Sequence, residues 1–334
     1  MIIESSAPTR VDLAGGTIDI WPLYLFHPGA STVNFAINLR ASCRIETRDD
    51  GRIVLESRDR QISFETELAA LEDLVREERL ELISKLVHFF KPSVGFHLVA
   101  HSKAPAGAGL GGSSALGIAC IGALNRLVGN RYDERKFITI AANIETTVIR
   151  VPAGFQDYYS ALYGGVSSIH YRPDGIEREA LEVDEETLER RIAICYTGKP
   201  RMSGTNNWEI TKNHIDGDAE LFKLFDGIRD SATSVRAALL KNDWQTVSTT
   251  MHEAYPGRKR LAPGVTTPQM EMLVEKALGA GAEAAKVCGA GGGGCIAFLC
   301  AEGRRPDVER ALLEEGVEVL DWKLSREGLV VHES

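Results

Sequence analysis

The spacing of apolar and polar positions changes period several times along the chain, and each change predicts an element. Residues 1–56 read as strands and turns, and in "RASCRIETRDDGRIVLES" strand-like runs flank Asp50-Gly51, the strongest short hairpin signal in the sequence. "RQISFETELAALEDL" passes from alternation into a helical pattern, and "LELISKLVHFF" sets Leu82, Ile83, Leu86, Val87 and Phe90 at helical spacing. "VGFHLVAHS" predicts a strand, followed after a glycine-rich stretch by a helix to about Leu127 and another over "ERKFITIAANIETTVI". Past Asp184, "RRIAICYTG" reads as a short buried strand. In "ELFKLFDGIRDSATSVRAALL", Leu221, Leu224, Phe225, Ile228, Ala232, Val235 and Leu239 share one helical face. "PQMEMLVEKALGAG" predicts a helix ended by Gly279 and Gly281, and "AAKVCGAGGGGCIAFLC" a strand, a glycine turn and a strand. "DVERALLEEG" and "VEVLDWKL" close the chain as helix and strand. The expected architecture is α+β in two lobes, residues 1–180 and 181–334, meeting near 165–190 without a flexible linker.

The 334 residues suffice for one large domain or two moderate ones. With 44% hydrophobic and 25% charged residues the chain has the make-up of an ordinary soluble globular protein. A net charge of −9 and a pI near 5.5 argue against a nucleic-acid partner, which favours a basic surplus. A small-molecule partner is expected instead, and an anionic one must be held by local cations against the overall field. The six cysteines form no CxxC pair and have no histidine at zinc-ligand spacing, so they read as buried reduced thiols. "MIIESSAPTR" lacks a basic segment followed by an apolar one, and no apolar run approaches the ~20 residues of a membrane helix. A cytoplasmic location without a membrane partner is expected, and a homodimer is left open.

One stretch changes this picture. "KAPAGAGLGGSSALGIAC", 103–120, places Gly107, Gly109, Gly111 and Gly112 ahead of an apolar helix, with Ser113 and Ser114 offered as cap hydroxyls. Free N–H groups and the positive end of a helix dipole meet there, which makes an anion site suited to phosphate. The stretch lacks the GxxxxGK[ST] pattern, and no acidic residue follows Gly107-x-Gly109-x-x-Gly112 at the spacing of a dinucleotide site. A packing turn without ligand is the bland reading of the loop taken alone. Two further segments alter the balance. "APTRVDLAGGTIDIW", 7–21, combines a strand, a Gly-Gly turn and charges of buried type at Arg10 and Asp19, and "KVCGAGGGGCIAF", 286–298, is a second glycine-rich turn far away.

The three segments, in this order, resemble the signature motifs of the GHMP kinases, the superfamily of galactokinase, homoserine kinase, mevalonate kinase and phosphomevalonate kinase. The resemblance spans nearly the whole chain. It implies a two-lobed fold with an N-terminal ATP-binding α+β domain and a C-terminal ferredoxin-like α+β domain, with the acceptor held in the cleft between them. Carried over onto this sequence, it implies an ATP-phosphate loop of Pro105, Gly107, Ala108, Gly109, Leu110, Gly111, Gly112, Ser113 and Ser114. It implies a Mg²⁺ site at Ser113, with Ser114 the alternative, and Glu145. Asp157 looks like the aspartate that faces the acceptor hydroxyl as general base, and Arg10 like its basic partner. Asp19, Gly15, Gly16, Gln156, Gly291 and Gly292 fall on the acceptor side. Ile18 departs from the threonine of the G-T-D wording common in sugar kinases.

The chemistry agrees independently, because phosphoryl transfer needs positioning and charge neutralisation more than covalent help. A hydroxyl and a carboxylate suffice from the protein for Mg²⁺, which keeps several waters. Singly, Glu145 reads as a solvated helix residue, Asp157 as an N-cap and "GAGGGG" as a tight hairpin. The wording "GLGGSSAL" and "QDYYSALYGG" is similar to bacterial sugar kinases, D-glycero-D-manno-heptose 7-phosphate kinases among them, which implies an anomeric hydroxyl as acceptor. For an acceptor that already carries phosphate, "YTGKPRMSGTNNW" offers Lys199, Arg201 and Ser203 as a clamp, or else an exposed basic loop. A mevalonate-type small-alcohol kinase is the alternative. A catalytically silent sugar or nucleotide sensor is a third reading, opposed by Asp157, Glu145 and the intact loop.

Overall fold

Alternating apolar and polar residues build two long strands, β1 (Ile2–Ala14) and β2 (Ser31–Arg48), which pair antiparallel from Ile2↔Glu46 to Ala14↔Val33. The computed structural model describes residues 1–199 and 203–334, the last range with backbone alone for 203–206. β3 (Arg52–Ser57), β4 (Ile62–Glu67), α1 (Glu81–Phe90) and β5 (Gly95–Ser102) follow. Next come α2 (Gly112–Leu127), α3 (Arg135–Ile149), α4 (Gln156–Tyr163), β6 (Val166–Arg172) and β7 (Gly175–Ala180). The remaining elements are α5 (Glu185–Arg191), β8 (Ile192–Tyr196), α6 (Ser203–Ile215), α7 (Ala219–Leu239), α8 (Trp244–Lys259) and α9 (Pro268–Ala280). β9 (Ala282–Val287), β10 (Cys295–Cys300), α10 (Arg305–Glu314), β11 (Glu318–Val319) and β12 (Val330–Glu333) end the chain.

The first sheet runs β12-β1-β2-β5-β3-β4, with β6 on β2 and β7 on β6. This order overturns the hairpin expected at Asp50-Gly51. The turn forms, with Gly51 at φ 68°, but β5 lies between the two strands, antiparallel to β2 and parallel to β3. The wedge begins at Gly95, where a Cβ would come within 2.8 Å of the Arg52 carbonyl oxygen and 3.2 Å of that of Arg48. Only a residue without a side chain starts a strand in so narrow a fork.

The second sheet runs β11-β8-β10-β9, all neighbours antiparallel. In its own numbering this is the order 4-1-3-2, with helices between the first and second and the third and fourth strands, the split βαβ arrangement of a ferredoxin-like lobe. The closing strand expected over "VEVLDWKL" shrinks to Glu318–Val319. The chain then leaves the second sheet and returns to the first, where β12 pairs with β1. Trp322 anchors this crossing, packed against Phe35 of β2 with ring centroids 5.1 Å apart and the planes tilted by 39°.

Two hydrophobic clusters fix the site between them. Helices α1 to α4 cover one face of the first sheet, where Ile45, Phe96 and Leu98 meet Leu86, Phe90, Ile118 and Ile121. A second cluster joins the lobes, bringing Val11, Phe35 and Ile37 against Ile194, Val235, Val247 and Trp322. A shared core of close-packed side chains holds the lobes rigidly at this seam, and the cleft opens beside it. All six cysteines are buried, as expected. Among the described residues no helix is long and apolar enough to cross a membrane.

Candidate active site

The chain leaves β5 and enters α2 through three glycines in the left-handed region, Gly107, Gly109 and Gly111 at φ 67°, 77° and 73°. Side-chain-bearing residues avoid these dihedrals, which is why the stretch is spelled in glycine. Gly111 itself is the N-cap of α2, and no side chain caps the helix. The two serines therefore do not act as caps. Ser113 is exposed, while Ser114 is buried and its hydroxyl donates to Glu145 Oε2 at 2.9 Å. The open helix terminus faces a cavity of about 580 Å³ lined by Pro105, the run Gly107–Ser114, Glu145, Asp157 and Tyr158. Such a volume suits a nucleotide-sized ligand, and the free N–H groups at its floor suit an anion.

Arg10 reaches this floor from β1. Its guanidinium donates to Asp157 Oδ1 through Nε at 2.7 Å and lies 2.6 Å from the same oxygen through the second terminal nitrogen. It also donates to the Gly109 carbonyl at 2.6 Å, and its own backbone N–H donates to Leu110 O at 2.9 Å. One side chain thus ties the glycine loop to the carboxylate at the start of α4. Burial alone would lower the pKa of Arg10, but Asp157, Asp12 and Asp19 together raise it above its ordinary value, so the cation persists. Asp157 sits in the first turn of α4 behind Phe155, which is the N-cap, so its local reading as a cap does not hold.

Asp19 is buried close enough to the Arg10–Asp157 pair to interact with both charges. Its carboxylate accepts from the backbone N–H of Thr17 at 3.0 Å and of Gln156 at 3.1 Å. Burial and then the nearby Asp157 carboxylate push its pKa up to about 6, with the Gln156 N–H and Arg10 opposing. The unfolded chain therefore ionises Asp19 near pH 4 while the folded one holds its proton to about pH 6. From pH 4 to 6 the folded state binds the extra proton, so this group makes stability fall as pH rises. Asp19→Asn cannot ionise. The melting temperature of the variant minus that of the wild type is expected to become more positive from pH 4 to pH 7. A difference independent of pH contradicts the assigned shift.

Gly15 and Gly16 keep this turn tight: a Cβ would come within 2.1 Å of Ser31 O at the first and 2.2 Å of Asp12 Oδ2 at the second. Gln156 is buried, its Oε1 at 3.5 Å from Asn34 Nδ2. Ile18 is fully buried among Ile20, Leu23 and Phe225, so the departure at this position faces the core. Glu145 is buried as well, and its Oε2 also accepts from the Tyr158 hydroxyl at 2.6 Å. Burial raises its pKa, and hydrogen bonds from Tyr158, Ser113 and Ser114 hold the rise back.

The third glycine turn meets the loop through backbone. Cys295 N–H donates to Ala108 O at 2.8 Å, and a Cβ at Gly294 would fall 2.6 Å from that oxygen. Gly291 and Gly292 lie instead against Val265, whose carbonyl accepts from Gly292 N–H at 2.9 Å. Arg201 lies outside the described residues, and Lys199 is exposed. Sequence reasoning missed Tyr158, Asp12, Lys286 and Arg258. Burial would raise the Asp12 pKa, but Lys286, 2.5 Å from its Oδ2, together with Arg10 and Arg258 lowers it to about 2. Asp12 and Lys286 stand within the first and third motifs and could have been read there, whereas Tyr158 and Arg258 have no local signal.

Two family models match the chain in order, the GHMP kinases N terminal domain over residues 77–165 and the GHMP kinases C terminal model over 235–318. The sequence is 27% identical to a D-glycero-alpha-D-manno-heptose 7-phosphate kinase of Campylobacter jejuni, covering 98% of each chain. It is 26% identical to a mevalonate kinase of Thermococcus sibiricus, covering 100% of this chain and 99% of that one. Its fold matches the crystal structure of a D-glycero-D-manno-heptose 1-phosphate kinase from Bacteroides thetaiotaomicron, with a TM-score of 0.75, 23% identity and 99% coverage of each chain.

Proposed function

The chain belongs to the GHMP kinases and is a small-molecule kinase with ATP as phosphate donor, and we propose that its acceptor is the anomeric hydroxyl of a sugar or sugar phosphate such as heptose 7-phosphate. The observation that carries the reading is the Arg10–Asp157 pair beside the glycine cradle, with Asp19 close enough to feel the Asp157 charge. Both guanidinium contacts fall on Asp157 Oδ1, which leaves Oδ2 for a hydroxyl. The acceptor hydroxyl gives its proton to Asp157 as its oxygen bonds the γ-phosphorus, and the β–γ bridge oxygen leaves with ADP. Arg10 keeps the carboxylate oriented, and the N–H groups of the loop balance phosphate charge.

The residues also fit Mg²⁺. Ser113 offers an exposed hydroxyl and Glu145 a carboxylate steadied by Ser114 and Tyr158, the hard oxygen donors that ion takes. When bound, it neutralises charge on the phosphates. Glu145→Gln keeps the size and removes the charge, and the Mg²⁺ concentration at half-maximal rate is expected to rise at least ~10-fold. A rate profile against Mg²⁺ that matches the wild type places the metal elsewhere.

An ATP-consumption screen over free sugars, sugar phosphates, mevalonate and homoserine, with NMR of the product, tests the acceptor. Phosphorylation at an anomeric oxygen supports the proposal, whereas turnover of mevalonate alone overturns it in favour of the small-alcohol reading. The cytoplasm, where ATP is supplied, is the location this activity calls for.

A further inference from the structure

Arg258 stands in the last turn of α8, in the second lobe, yet its guanidinium ends in the first-lobe turn that carries Asp19. It is 5% exposed. One terminal nitrogen donates to the Gly16 carbonyl at 3.2 Å and to the Thr17 hydroxyl, and the other donates to the Gly289 carbonyl at the head of the third glycine turn. Its Nε has no hydrogen-bond partner among the described residues. A buried cation with an unsatisfied donor is costly, so the fold keeps it for more than packing.

Thr17 explains what it holds. This β-branched residue sits at φ 85°, in the region that side chains avoid, and such strain persists only where the surroundings over-determine it. The same residue fixes Asp19, because its backbone N–H donates to Asp19 Oδ1 at 3.0 Å. Releasing Thr17 would let that N–H swing away from the carboxylate.

We propose that Arg258 is a positioning residue for the acceptor, clamping Thr17 in its strained turn so that Asp19 stays fixed against the start of α4, beside Asp157. The proposal rests on the kinase reading above and assigns Arg258 to the acceptor half of the site alone. The nucleotide cradle is built from the Gly107–Ser114 run and Arg10, neither of which Arg258 touches.

The test compares steady-state kinetics with heptose 7-phosphate as acceptor and calorimetric ATP affinity. Arg258→Met is expected to lower kcat/KM for the acceptor about 10²-fold, chiefly through KM, the scale of a small misplacement of a binding group. ATP affinity stays at the wild-type value. Glycine adopts the Thr17 backbone without strain, so Arg258→Met/Thr17→Gly is expected to recover about tenfold of that loss. A residue that merely holds the lobes together gives no such recovery. A folded Arg258→Met with wild-type acceptor KM overturns the proposal, as does an equal loss of ATP affinity or a double variant no better than the single. Should Arg258→Met fail to fold, Arg258→Lys decides, since it keeps the charge and loses the fork: a raised acceptor KM with unchanged ATP affinity supports the clamp, and an unchanged KM overturns it. Wild-type protein inactive on every acceptor of the screen overturns the kinase reading itself, before any variant is compared.

Discussion

Asp157→Asn is expected to reduce kcat by about 10²–10⁴-fold, the range for removal of a general base, while the dissociation constants of both substrates move little. Asparagine keeps the shape of the side chain, and its Oδ1 can still accept from Arg10, so the loop and α4 stay joined. What disappears is the oxygen proposed to take the proton. Arg10→Ala slows turnover too, since it frees Asp157 from its 2.6 Å contact and leaves Gly109 O without its donor. The two residues act as a unit, so the double variant loses less than the product of the single losses. Single-turnover kinetics at saturating ATP checks both statements. Wild-type turnover in Asp157→Asn removes this residue from the chemical step.

Gly111→Val is expected to lower kcat/KM at least ~10²-fold, through two separate effects. Its φ of 73° is closed to a β-branched residue, so the mouth of α2 must rearrange and the N–H groups that face the phosphates turn away. The ideal Cβ would also lie 3.0 Å from Asp157 Cγ, so even a relaxed loop pushes the carboxylate. Gly111 therefore belongs to both halves of the site, although the sequence assigns it to the nucleotide alone. Gly112→Ala separates the halves. Its Cβ would meet Ser102 Oγ at 3.6 Å and Ala104 Cβ at 3.9 Å, ordinary contacts well away from Asp157. Calorimetry should find weakened ATP binding in both variants, and kinetics should find disturbed acceptor use only in Gly111→Val. Equal acceptor kinetics in the two would contradict the contact with Asp157.

By itself the sequence determined the elements whose signals are local and the motifs whose residues are contiguous. The helical spacing over Leu82–Phe90 and Leu221–Leu239, and the strand, glycine turn and strand at 282–300, all formed as the pattern dictates, because each is set by periodicity within one segment. Helix α8 escaped that reading: "WQTVSTTMHEAYPGRK" is rich in threonine and holds Pro256, and packing against α7 and β9 makes it a helix despite weak propensity. The Asp50-Gly51 turn is a true turn whose strands separate, since strand partners are chosen by the whole sheet and β5 competes for both edges. The site divides in the same way. The three motifs in their order single out the glycine loop, Arg10 and Asp19 as candidates, and the family resemblance adds Asp157. That Ser114 donates to Glu145, that Tyr158 shares this carboxylate, and that Arg258 reaches across the lobes to Thr17 were decided only when distant segments packed. A hydrogen bond between residues 241 positions apart leaves no mark in the residues beside either end, so only the tertiary structure could place Arg258 in the site.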